Sequence, residues 1–337
     1  MSAPAAADAE PLEPSGAARV TAADIAAAAE RLAGRVRRTP VVEVDAAELV
    51  PDVAADVRVV LKLEHLQHTG SFKARGALNA VLTRPAGTTG VVAASGGNHG
   101  LAVAAAARRV GLPATVFVPT TSPAVKVAGI RALGADVVVA GERYSHAAEL
   151  AVERARTTGA LLVPAFDHPA VVAGQGTVGL ELVEQAAGPL DAVLVATGGG
   201  GLVAGVATWV AAASPGARVV AVEPERAPTL HAALAAGEPV DVEVGGVAAD
   251  SLGASRIGAV PLAAARAAGV TSALVDDAAI SRARQLLWDR LRVAAEAGGA
   301  AALAALLEGA LPLRAGERVA VVVCGANTDP HDLVRRG

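Results

Sequence analysis

Residues 191–213 read DAVLVATGGGGLVAGVATWVAAA. An apolar run meets four consecutive glycines, Gly198 to Gly201, and an Ala- and Val-rich segment follows. No charged side chain occurs between Ala192 and Ala217, a stretch long enough for a membrane helix of about 20 residues. Four adjacent glycines break such a helix, because each adds backbone freedom that folding must remove. The stretch therefore reads as strand, loop and helix. Its strand is apolar throughout rather than alternating, the pattern of a strand covered on both faces, as in a parallel sheet.

The same unit recurs on either side. Strand-like runs are expected at 57–63, 90–95, 114–119, 135–140, 218–224 and 318–325. Segments such as LAVAAAARRVGL, AVKVAGIRALG and HAAELAVERARTTG lie between them, with apolar spacing of three to four. Strands alternating with helices predict an α/β protein with mainly parallel sheets. Gly111, Gly134 and Gly159 fall where helices should stop. The segment 250–269, DSLGASRIGAVPLAAARAAG, reads as partly loop.

The chain has 337 residues, 53% hydrophobic and 18% charged. That is too long for one small module, too apolar for disorder, and points to two domains or one large unit. A net charge of −4 argues against nucleic acid or an anionic membrane as a partner. The single cysteine excludes an intrachain disulfide framework and a cysteine zinc cluster. Residues 1–20 carry Asp8, Glu10 and Glu13, with no basic start and apolar core, and read as a loose tail rather than a leader. The expectation is a soluble, cytoplasmic protein.

Chemistry in parallel α/β folds gathers at the carboxyl ends of strands. Lys73, SGGNHG (95–100), GGGG (198–201) and CGAN (324–327) all lie at or after such ends. Lysine is scarce here, at positions 62, 73 and 126 alone. Lys62 lies in a strand pattern and Lys126 in a helical one, whereas Lys73 stands between a turn signal and a helix. Burial near a helix start lowers an amine's pKa and suits it to form a Schiff base with a carbonyl cofactor. The competing reading is a solvated surface lysine. The glycine quartet suits an anion, because small residues let backbone N–H groups approach it at a helix start. A dinucleotide site competes, since Glu223 ends the next strand. That alternative, a nicotinamide-dependent oxidoreductase, leaves Lys73 and the 95–100 loop unexplained.

Thr69-Gly70-Ser71-Phe72-Lys73-Ala74-Arg75-Gly76-Ala77 resembles the cofactor-lysine motif of the serine/threonine dehydratases. These are pyridoxal 5'-phosphate (PLP) enzymes of fold type II, with the tryptophan synthase β-like fold. Ser95–Gly100, Gly198–Gly201 and Cys324–Asn327 match in the same order, and Gln175-Gly176-Thr177 resembles a further family segment. Four ordered motifs are far more specific than one glycine loop.

The resemblance implies two three-layer αβα domains with mainly parallel sheets. A large PLP-binding domain would comprise 21–85 and 170–332, and a small one, 86–169, would carry the substrate-carboxylate loop. It implies that Lys73 ties the cofactor and serves as the base, with Phe72, Asn98, Gly198, Gly199, Gly200, Gly201 and Cys324 around the cofactor. Ser71, Ser95, Gly96, Asn98 and His99 would meet the substrate. Glu296 and Asp250 resemble positions near the cofactor, although a buried carboxylate can simply cap or pair. Taken without the family, Asn98 and His99 suit a capped turn, and Phe72 and Cys324 suit a core. A thiol, with its ordinary pKa of about 8.5, cannot keep the cofactor's ring nitrogen protonated. That favours prompt β-elimination over transamination.

The implied activity is deaminating dehydration of L-threonine to 2-oxobutanoate, or of L-serine to pyruvate, by a homodimer. Another fold type II lyase or β-replacement enzyme is the alternative, with hydroxyaspartate, phenylserine or O-acetylserine as substrate. Two departures stand out. Racemases of this fold carry a second serine where Gly96 stands, so weak racemisation is expected. Relatives that hold a divalent cation carry an acid six positions after the glutamate, and here that position is Thr229, so no metal is expected. The short stretch after Cys324 leaves no expected home for a regulatory domain.

Overall fold

A computed structural model describes residues 19–49, 56–122, 124–142, 144–329 and 331–334. The expected tail falls almost wholly outside them. The strands are β1 (Val41–Asp45), β2 (Arg58–Lys62), β3 (Val91–Ala94), β4 (Ala114–Val118), β5 (Asp136–Val139), β6 (Leu161–Leu162), β7 (Ala192–Ala196), β8 (Arg218–Pro224), β9 (Thr271–Val275) and β10 (Arg318–Val322). The helices are α1 (Ala22–Leu32), α2 (Lys73–Leu82), α3 (Asn98–Arg109), α4 (Ala124–Ala132), α5 (Tyr144–Thr158), α6 (Pro169–Gln185) and α7 (Gly201–Ala213). They continue with α8 (Thr229–Ala236), α9 (Ala249–Leu252), α10 (Ala259–Ala267), α11 (Asp277–Leu291), α12 (Ala297–Leu307) and α13 (His331–Val334).

Two α/β domains result, each built on a mainly parallel sheet. The larger sheet has the order β1-β2-β10-β7-β8-β9 and the smaller β5-β4-β3-β6. Every pair is parallel except β1 with β2. The apolar runs account for the sheet centres: β7 is buried at all five positions, and β3 at all four. In the larger unit, α7 and α12 pack against the sheet, and their side chains merge with β7, β8 and β10 into one core. The smaller sheet is covered on one face by α3 and by α2, which packs against it, and on the other by Ala147 and Ala151 of α5. No helix among the described residues is long and apolar enough to cross a membrane. Residues 192–217 are strand, glycine loop and helix.

Helices cross closely where glycines meet. A Cβ on Gly174 would lie 2.7 Å from the Gly76 Cα, so α6 and α2 touch through backbone there. The Gln175 side chain accepts the Gly76 N–H at 3.2 Å, which gives the Gln175–Thr177 segment a structural task. This crossing fixes the start of α2, where Lys73 stands.

A second anchor of α2 is ionic. Arg75, fully buried, makes paired hydrogen bonds to Glu64 (Nε to Oε2 2.8 Å, Nη2 to Oε1 2.7 Å) and to Glu181 (2.7 and 2.9 Å). Lys62 Nζ donates to Glu181 Oε2, the Thr39 carbonyl and Gln185 Oε1, each at 2.7 Å. Two cations thus face two anions with no water-exposed partner needed. Burial works to lower the Arg75 pKa, but Glu64 and Glu181 outweigh it and raise it. Burial likewise works to raise Glu181, and Arg75 and Lys62 hold it below the usual carboxylate range.

Candidate active site

Parallel strands put their carboxyl ends on one edge of a sheet, so the loops leaving them converge. The loop after β2 leads to Lys73, the loop after β7 is Gly198–Gly201, and Cys324 follows β10. Phe72 N–H donates to the Cys324 carbonyl at 3.0 Å, and Ser71 pairs with Gly325. One cavity is lined by Phe72, Lys73, Asn98, the four glycines, Glu296 and Cys324, together with Phe166, Ser251, Leu252 and Gly298. Asn98 arrives from the smaller sheet, through the loop after β3.

Lys73 has no carboxylate partner among the described residues. Its Nζ donates to the Ala165 carbonyl at 2.7 Å and lies 5.2 Å from the centre of the Phe72 ring. Burial lowers its pKa to about 8, because a charged amine loses hydration in that setting. Glu296, at the start of α12, is pushed up to about 7 by burial, against a hydrogen bond from Asn98. Cys324 is raised well above the usual thiol range, first by burial and then by Glu296. Its Sγ donates to the Gly298 carbonyl at 3.5 Å, so the thiol stays protonated.

The other candidates lie around this cavity without lining it. His99 is buried, with Nε2 2.8 Å from the Val163 carbonyl, and burial holds its pKa near 3. It is therefore neutral, and it donates to that carbonyl. Ser95 Oγ accepts the Gly97 N–H at 3.2 Å. A side chain on Gly96 would overlap Ser122. Asp250 turns outward: its side chain is 56% exposed and pairs with Lys126 at 2.7 Å, bridging α9 and α4 beside the 95–98 loop.

Glu223 is buried and fully engaged. It accepts the N–H groups of Leu230 (2.7 Å) and His231 (2.9 Å) and the Ser272 hydroxyl (2.6 Å). The carboxylate that a dinucleotide ribose would need is thus committed elsewhere. Thr229 Oγ1 lies 2.5 Å from the Gly198 carbonyl and ties the glycine loop to this cluster.

The residues 32–325 match the family described as "Pyridoxal-phosphate dependent enzyme". The chain belongs to the pyridoxal-phosphate dependent enzyme family. The L-threonine dehydratase biosynthetic IlvA of Mycobacterium leprae (strain TN) is 39% identical over 92% of this chain and 73% of its own. The L-threo-3-hydroxyaspartate ammonia-lyase of Pseudomonas sp is 37% identical over 91% of this chain and 95% of its own. Among solved structures, a threonine deaminase from T.th. superposes with a TM-score of 0.83 at 38% identity, covering 92% of this chain and 99% of that one. The fold is that of the fold type II PLP enzymes.

The cavity suits the cofactor of this family on its own chemistry. Gly198–Gly201 run into the N-terminus of α7, with Gly200 at φ +85°, a conformation that favours glycine. Free N–H groups at a helix start suit a phosphate. Four buried side-chain polar atoms have no hydrogen-bond partner among the described residues: His65 Nδ1, Ser71 Oγ, Trp209 Nε1 and Glu296 Oε2. Of these, Glu296 lines the cavity, and Ser71 stands two residues before Lys73. An unmet buried group costs about 1–3 kcal/mol, and a ligand in the cavity would offer Glu296 Oε2 a partner.

The glycine at 199 gives a direct test. A Cβ there would overlap the Phe166 ring. Gly199→Ala is expected to weaken PLP binding tenfold or more, about 1.4 kcal/mol of overpacking strain. Gly216→Ala, where the added Cβ meets nothing within 4 Å, should leave affinity unchanged. Titration of the apo chain with PLP measures both.

Sequence alone assigns no role to Phe166, Ser251, Gly298, Thr229 or Asn327. Asn327 stands within CGAN without a task of its own there. Phe166 and Ser251 carry no local signal, because they reach the cavity from segments far away in the chain.

Proposed function

We propose that the chain catalyses deaminating dehydration of an L-hydroxyamino acid, converting L-threonine to 2-oxobutanoate and ammonia, or L-serine to pyruvate and ammonia. The observation that carries this reading is one amine without a carboxylate partner, Lys73 Nζ, buried beside a helix-start glycine loop with its pKa lowered to about 8.

Lys73 would hold the cofactor's carbonyl carbon, Gly198–Gly201 its phosphate, Asn98 its phenolic oxygen and Cys324 its ring nitrogen, with Phe72 packed beside the ring. When bound, PLP supplies the electron sink for the bond changes at the substrate. Lys73, whose lowered pKa of about 8 makes its neutral amine accessible, would take the proton from the substrate α-carbon as general base. Ser71 Oγ and the backbone N–H groups of the 95–98 loop hold the substrate carboxylate. Cys324, kept protonated, has a single S–H, which would turn from the Gly298 carbonyl to the ring nitrogen as a donor that does not give up its proton, a setting that favours β-elimination. His99, neutral and engaged with Val163, steadies α3. Residues 21–85 and 170–332 would form the cofactor-holding domain, and 86–169 the domain that presents the Asn98 loop.

A second reading has its own support. The hydroxyaspartate lyase of Pseudomonas sp aligns over nearly the full length of both chains, so 3-hydroxyaspartate is the alternative substrate. The chain supplemented with PLP should release 2-oxo acid from L-threonine or L-serine faster than from L-threo-3-hydroxyaspartate. The reverse order favours the second reading, and release from none of the three refutes both.

A further inference from the structure

A chain of hydrogen bonds leads to the cavity lining at Asn98 and Glu296. Thr69 adopts φ +61°, just before Lys73. Its carbonyl accepts from Asn327 Nδ2 at 2.8 Å. The same Nδ2 donates to Asn98 Oδ1 at 2.7 Å. Asn98 Nδ2 donates in turn to Glu296 Oε1 at 2.6 Å.

We infer that Asn327 is a positioning residue that sets which end of the Asn98 amide faces the cavity. This rests on the reading that the cavity holds PLP. The reasoning is an inventory of donors. A backbone carbonyl can only accept, so Thr69 compels Asn327 to present Nδ2. An amide nitrogen has two hydrogens, and both are then spent, one on Thr69 and one on Asn98. Asn98 must therefore meet Asn327 with its oxygen. Its own Nδ2 turns to Glu296 and keeps one uncommitted hydrogen on a residue that lines the cavity. The opposite setting of Asn98 would place nitrogen against nitrogen and oxygen against carboxyl oxygen. Direction thus passes from a backbone carbonyl through Asn327 to Asn98, and the cavity receives a donor rather than an acceptor.

Asn327 packs closely against Gly70. A Cβ on Gly70 would lie 2.5 Å from Asn327 Oδ1, so a bulkier residue at 70 would expel the amide. Gly70 itself has φ +74°, which presses the turn against it.

Two substitutions separate direction from bulk. Asn327→Asp keeps the shape but removes both donors, and it draws the Asn98 nitrogen toward itself. The Asn98 oxygen then faces the cavity. Asn327→Ala removes the bulk and leaves Asn98 free to turn. Apo chains are reconstituted with PLP, and the dissociation constant and the position of the visible absorbance band are read. The expected order of loss is Asp greater than Ala, with PLP binding at least about tenfold weaker in Asn327→Asp, the loss of one charge-assisted hydrogen bond. A purely space-filling role gives the opposite order, since Asp fills the site and Ala does not. In an Asn98→Ala background, neither Asn327 substitution should move the band further.

Asn327→Asp with wild-type affinity and band overturns the positioning role. So does a greater loss in Asn327→Ala, or an effect that persists undiminished without Asn98. A wild-type chain that forms no visible band with PLP removes the cofactor reading itself, which keeps the two failures distinct.

Discussion

Replacing Lys73 with alanine is expected to abolish the visible absorbance of bound PLP and to lower turnover by about 10²–10⁴-fold from lost proton transfer alone. No other lysine can substitute. Lys62 is locked in the buried network by the Thr39 carbonyl, Glu181 and Gln185, and Lys126 is paired with Asp250. The truncation leaves the fold unaltered, because Lys73 projects into a cavity rather than a packed core. Circular dichroism should therefore match wild type while the absorbance vanishes. The pH dependence has a definite sign. The neutral amine is the nucleophile, and a pKa lowered to about 8 makes it abundant well below the ordinary lysine value of about 10.4. The rate at which the apo chain captures PLP should rise as pH passes through about 8 and then level off. Near-wild-type turnover by the Lys73→Ala chain would remove the lysine from the chemistry.

Arg75→Ala is expected to destabilise the chain by about 3–5 kcal/mol, because it leaves buried carboxylates uncompensated. Glu64 and Arg75 are both fully buried, and Glu181 nearly so. Removing Arg75 leaves Lys62 alone to balance two glutamates. The effect reaches the active site, since Arg75 lies two residues past Lys73 on α2. PLP affinity should fall along with stability. An exposed pair offers the contrast: Arg156 and Glu153 are both more than half exposed, and Arg156→Ala should leave the melt unchanged. Chemical denaturation measures both variants, and equal midpoints would show that the buried network does not brace α2.

The seven apolar runs all became strands, yet β1, β6 and β9 lay outside them. All three are edge strands. Polar residues interrupt the apolar signature in VVEVD of β1 and TSALV of β9, and β6 is two residues long, too short to read as a run; β5, also at an edge, kept its apolar run in DVVV and was legible. Gly111, Gly134 and Gly159 end or follow helices with φ of +72°, +88° and +69°, because a helix commonly closes through a left-handed residue. The segment 250–269 divides into the end of α9, a loop and α10. Its Gly and Ser interruptions concealed two short helices.

The cavity was legible only in part. Asn98, the glycine quartet and Cys324 each follow a buried strand closely, so a local pattern of apolar run and loop exposes them, while Lys73, separated from β2 by two short helical turns, is exposed by the Thr69–Ala77 motif. Asp250 follows no such strand, and its side chain answers to Lys126 instead.

Order along the chain suffices for the alternation of strands and helices, the family motifs and the identity of the reactive amine, because these depend on residues that are neighbours in sequence. Folding alone supplies the lowered Lys73 pKa, the buried Lys62–Glu181–Arg75–Glu64 network and the Thr69–Asn327–Asn98–Glu296 relay. Each of these depends on desolvation, or on hydrogen bonds between residues distant in the chain, and such energies exist only once the two sheets have brought those residues within a few ångströms.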